Sequence, residues 1–136
     1  MSASGKFRQP FKSTPMSEST THPVFDLDAV LHRLQGDHEF LTLLLDTFLP
    51  DFADRMTKMQ TALGEGRLDD LARLAHSLKG ASATIGATRL HHRAAALDLA
   101  CRNEDGATAR QEWLKLLEDA EATRMAITAW LTANRG

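Results

Sequence analysis

Cysteine is almost missing from this sequence: Cys101 is the only one among 136 residues. A single cysteine closes no internal disulfide, which fits a reducing, cytoplasmic setting, and no Cys/His set has zinc spacing. Charge of one sign is lacking too. The formal net charge is −2, far from the basic balance that nucleic-acid binding requires. No apolar run approaches the roughly 20 residues of a membrane span, so no membrane contact is expected. The N-terminus lacks the apolar core of a signal peptide. A Gly-rich phosphate loop and kinase signatures are absent, which argues against a nucleotide site. No Glu-x-x-His pair is present, which argues against a di-iron bundle centre. The aromatic residues fall mostly at core spacing and make no base-stacking platform. His91 and His92 are neighbours on a helix and point about 100° apart, so they read as a solvated pair and not as a chelate. His22, His32 and His38 read as isolated surface residues.

What is present suits one soluble globular domain: 43% hydrophobic and 25% charged residues. Residues 1–22 are rich in Ser, Thr and Pro, and Phe7, Phe11 and Met16 follow no period. They read as a disordered tail or linker, with a short interaction motif around Phe7 and Phe11 as the alternative. Residues 23–136 form the domain, and every periodic segment in it is helical. Asp26 caps a short first helix, Phe25 and Val30 are spaced as a hydrophobic staple, and Gly36 ends the helix as a C′ glycine. Asp37 caps a second helix that runs to about residue 63. Phe40, Leu41, Leu44, Leu45, Phe48, Phe52, Met56, Met59 and Leu63 keep its spacing, and Pro50 predicts a bend within one long helix. A third helix spans about Arg67 to Ile85, with no Ser, Thr or Asp at the likely cap position. A fourth spans about Thr88 to Arg102, and a fifth about Ala107 to Ala133. In the fifth, Trp113, Leu116, Leu117, Ala120, Ile127 and Leu131 are expected to face inward, with Trp130 beside them and Arg124 interrupting the stripe. Cys101 falls on the core side of the fourth helix as a small hydrophobe. Short polar connections make such helices antiparallel neighbours. The fold class is all-α: an antiparallel up-down four-helix bundle with an additional short N-terminal helix.

The third helix carries the chemistry. Leu71, Ala75, Leu78, Ser82 and Ile85 form its core stripe. His76 lies on the opposite side with Asp69, Arg73, Gly80 and Ala83, and Lys79 is one turn further along. A solvent-facing neutral imidazole is a nucleophile near neutral pH, and a lysine one turn away is a point charge suited to a phosphoryl oxygen. A glycine inside a helix costs about 1 kcal/mol relative to alanine. Close approach of another protein at Gly80 explains it.

His76-Ser77-Leu78-Lys79-Gly80, followed by Gly86, resembles the signature of histidine-containing phosphotransfer (HPt) domains: His, any residue, Leu-Lys-Gly, then Gly six residues on. Leu71-Ala72-Arg73-Leu74-Ala75, Ala87-Thr88-Arg89-Leu90 and the helix order from about residue 26 to 134 also follow the family pattern. The resemblance implies a bundle that carries a phosphoryl group on His76, through its Nε2 atom, between aspartates of response-regulator receiver domains. Lys79 would stabilise the phosphoryl charge, and Gly80, Ala83 and Arg73 would form the docking surface. It implies a relay fed by a hybrid sensor histidine kinase, a monomeric carrier without autonomous catalysis, and no cofactor or metal on this chain, with Mg²⁺ on the receiver. It further implies a hydrogen-bonding residue on the neighbouring helix that holds Nδ1 of the histidine. Asp98 stands at that position, one methylene shorter than the Glu or Gln usual there. Pairing of a surface Asp98 with Arg102 is the alternative. The alternative for the whole domain is an interaction module that binds a kinase or receiver without carrying phosphate.

Overall fold

The computed structural model describes residues 22–135. The tail reading of residues 1–21, Phe7 and Phe11 included, lies outside them. Among the described residues five helices follow in order: α1 (Leu27–Arg33), α2 (His38–Gly64), α3 (Leu68–Thr84), α4 (Thr88–Arg102) and α5 (Gly106–Arg135). Among the described residues there is no strand, and no helix is long and apolar enough to cross a membrane. The four long helices make the up-down bundle. α3 packs on α4 and α2, α4 packs on α5, and α2 meets α5 to close the ring.

Local chemistry sets the helix ends. The Asp26 carboxylate accepts the Ala29 N–H at 3.2 Å and the Asp37 carboxylate accepts that of Phe40 at 2.9 Å, each satisfying one orphan donor of a first turn. The start of α3 has no side-chain cap, as its sequence indicates. α5 has one that the turn Asn103-Glu104-Asp105-Gly106 conceals: Asp105 accepts both the Thr108 N–H and its hydroxyl. Gly36 is not the C′ residue of α1. Gln35 takes that left-handed place at φ 56° and Gly36 follows at φ 80°. The Gly36 N–H then reaches back to the Leu31 carbonyl at 2.8 Å, the longer bond of a Schellman motif. α2 runs as one helix across Pro50.

The core gathers Leu41, Leu45, Met59, Leu71, Leu78, Leu90, Leu97, Leu116 and Ile127, all fully buried. Two side chains depart from the inward faces expected of them: Leu117 is 40% exposed and Phe40 45%. On α5 the inward place near Arg124 belongs to Thr123. Its hydroxyl donates to the Asp119 carbonyl at 2.7 Å, so a polar side chain is buried without an orphaned group. Arg124 pairs with Glu121 at the surface. Cys101 is buried. Burial first, and the Asp98 charge second, push its thiol up to about 11, so no reactive thiolate forms near neutral pH.

Gly86 is the joint where α1 meets the end of α3. Its φ of 77° is left-handed, and its carbonyl accepts the Asp26 N–H at 2.7 Å. A Cβ there would strike the Val30 side chain and lie 2.9 Å from the Asp26 carbonyl oxygen. Gly86→Ala combines backbone strain with overpacking and is expected to lower stability by about 2–4 kcal/mol. Thermal unfolding checks this; an unchanged midpoint would contradict it.

Candidate functional site

The core stripe of α3 sets the direction of its other side. With Leu71, Ala75, Leu78 and Ser82 buried, His76 is turned to solvent, its side chain 70% exposed. Gly80 and Ala83 are exposed on the same side, and Lys79 is half-buried toward α4. Lys79 makes no salt bridge among the described residues, so its ammonium is available to an incoming anion. Arg73 is exposed and paired with Asp70. His76, Lys79, Arg73, Asp69, Asp98 and Arg102 line one open depression. Of the three cations around the imidazole, Arg73 is paired with Asp70 and Arg102 with Asp98, which leaves Lys79, while Gly80 and Ala83 keep the surface low there.

A Cβ built at Gly80 meets nothing within 4 Å. The two glycines of the motif therefore differ in kind. The fold requires Gly86, whereas nothing inside the protein requires Gly80.

Asp98 comes from α4 and is brought to His76. Its Oδ2 lies 3.5 Å from His76 Nδ1, near the ring but longer than an ordinary N–H···O hydrogen bond. Arg102 Nε donates to the other oxygen at 3.1 Å. The pairing with Arg102 is therefore present, and the other oxygen faces the His76 ring without a direct hydrogen bond to it. The expectation of an ordinary surface Asp does not hold, because its side chain is only 3% exposed. The flank His91, Ala95, Asp98, Arg102 turns toward α3, being one turn apart along α4.

His91 lies on that flank and is not a solvated residue. Its Nδ1 donates to the Lys79 carbonyl at 2.9 Å, tying α4 to α3 beside Gly80. The spacing that singles out Asp98 also reaches His91. His92 stacks on His22 with ring centroids 3.7 Å apart, so neither is isolated. Burial, then the neighbouring His22 and His91, holds the His92 imidazole below its usual range. The His22 carbonyl accepts Arg89 Nε at 3.0 Å. His38 Nδ1 donates to the Gly36 carbonyl at 2.9 Å. On the other side of the motif, Arg55 of α2 donates to the Ser77 hydroxyl at 2.5 Å and to Asp51 at 2.6 Å. No periodicity reveals that contact, since it joins two helices across 22 positions. Among the described residues no three His, Cys, Asp or Glu side chains gather to hold a metal ion.

Comparison with known proteins follows this geometry. The family profile described as the Hpt domain matches residues 43–129. The crystal structure of histidine-containing phosphotransfer protein B from Pseudomonas aeruginosa PAO1 is similar, with a TM-score of 0.74 and 28% identity over 82% of this chain and 96% of that one. A search of curated proteins found no match.

Proposed function

The chain belongs to the Hpt domain family, a family of phosphoryl carriers in phosphorelays, and from that premise we propose that it relays a phosphoryl group through His76 between receiver-domain aspartates. The observation that carries this reading is the exposed His76 imidazole in one depression with Lys79. The Nε2 lone pair attacks the phosphorus of an aspartyl phosphate. The P–N bond forms as the P–O bond to the aspartate breaks, and the carboxylate leaves with its electron pair. The ring keeps its Nδ1 proton and becomes cationic, and the Asp98 carboxylate beside Nδ1 stabilises that charge. The second receiver reverses the step with its own aspartate as nucleophile.

Transfer of this kind needs in-line positioning and charge neutralisation and little else. Lys79 neutralises phosphoryl charge as a point cation. Mg²⁺ belongs to the receiver, which brings its own acidic site. Gly80, Ala83 and Arg73 form the surface on which the receiver docks. The chain acts as a monomer in the cytoplasm, without catalysis of its own, and a hybrid sensor histidine kinase feeds the relay. The test is reconstitution: a phosphorylated receiver, this protein, then a second receiver. Label should pass through the protein to the second receiver. Binding of receiver without uptake of label would instead identify an interaction module.

Asp98 has the orienting role in this reading. Accepting Nδ1–H fixes the tautomer that leaves Nε2 free. Asp98→Ala is expected to slow phosphoryl uptake about tenfold, the scale of a lost orienting partner, with helical content retained. Uptake at the wild-type rate would remove this role.

A further inference from the structure

We propose that Arg102 is a positioning residue for His76 that acts through Asp98, an inference resting on the phosphotransfer reading of the site. The Asp98 carboxylate is almost completely withdrawn from water, and a buried carboxylate needs partners on both oxygens. They come from two helices. Arg102, one turn on along α4, donates Nε to Oδ1 at 3.1 Å. His76, on α3, has Nδ1 3.5 Å from Oδ2.

This division of the two oxygens gives Arg102 its role. Its bond holds the carboxylate plane in one orientation, so that Oδ2 points at α3. Rotation about the terminal torsion of an aspartate is soft and broad. Without Arg102 nothing else hydrogen-bonds Oδ1 among the described residues. A His76 approach that at 3.5 Å is already longer than an ordinary hydrogen bond is sensitive to such a rotation, because the attraction weakens steeply with distance and poor alignment. The Arg102 charge also offsets that of the buried carboxylate. Arg102 itself is 62% exposed and no member of the hydrophobic core, so its replacement is expected to leave the bundle intact.

Arg102 also lines the depression around His76, and direct contact with a phosphoryl group or a receiver is the competing role. The experiment separates the two on the full chain. Arg102→Met keeps an unbranched stem and removes donors and charge; Arg102→Lys keeps the charge. The readouts are ¹⁵N shifts of the His76 ring, which report the tautomer, and the rate of uptake from a phosphorylated receiver. Arg102→Met should move neutral His76 away from the Nδ1–H tautomer. It should slow uptake several-fold, by no more than the roughly tenfold of Asp98→Ala. Arg102→Lys should recover part of both effects. In the Asp98→Ala background Arg102→Met should add nothing, as for two residues acting as one unit. A wild-type tautomer in Arg102→Met, or slowing that persists undiminished without Asp98, would overturn the proposal. The tautomer measurement needs no phosphoryl transfer. Failure of the wild type to take label would therefore count against the phosphotransfer reading and leave Arg102 still tested.

Discussion

His76→Gln is expected to fold as the wild type does and to take up no phosphoryl label. The imidazole is 70% exposed, and Asp98 at 3.5 Å is its recorded charged partner among the described residues. Glutamine is a good helix former, and surface substitutions of this kind stay within about 0.5 kcal/mol. The chemistry, by contrast, is lost completely. The amide nitrogen of glutamine has its lone pair delocalised into the carbonyl and is no nucleophile, whereas neutral imidazole presents a free lone pair at Nε2. Uptake from a phosphorylated receiver and the unfolding midpoint, measured together, check both halves. Label retained by a folded His76→Gln protein would place the acceptor elsewhere.

Gly80→Gln should separate stability from transfer in the opposite sense to Gly86→Ala. A Cβ at Gly80 projects into open space. The variant exchanges a poor helix former for a good one and should melt slightly higher, by at most about 1 kcal/mol of added stability. Yet its side chain rises one turn from His76, on the side a receiver must approach. Displacement of the attacking nitrogen by about 1 Å can cost on the order of 100-fold in rate, and uptake should fall by up to that factor. Saturating receiver should recover part of the loss, since docking is impaired and the nucleophile is intact. Unimpaired uptake in a folded Gly80→Gln protein would remove the docking explanation of this glycine.

Much of this was legible in the chain because helical periodicity is a strong signal when each helix has one buried side. The stripe Leu71, Ala75, Leu78, Ser82, Ile85 is buried as its spacing indicates, and that alone turns His76 outward. The limits of α4 and the cap residues Asp26 and Asp37 follow from local chemistry and agree with the structure. Departures occur where the choice depends on a neighbour. Leu117 and Phe40 sit at the border of an apolar stripe, where the packed helix decides which residue is covered. Thr123 is buried because its hydroxyl is satisfied within α5, which hydrophobicity alone does not reveal. The His91 bond to Lys79, the His22–His92 stack and the Arg55 bond to Ser77 all join segments far apart in sequence. Asp98 stands between these cases. Its flank is readable from the period of α4, but its burial and its 3.5 Å approach to His76 depend on both helices in place.

The central claim is that this bundle carries phosphoryl on one nitrogen of His76. Mapping the label on the wild-type protein after exposure to a phosphorylated receiver tests it most directly. The account predicts a single phosphoramidate on His76, lost in acid and kept in alkali, with ³¹P and ¹⁵N spectra assigning it to Nε2. A label stable in acid, or one on Ser77 or any other residue, would contradict it.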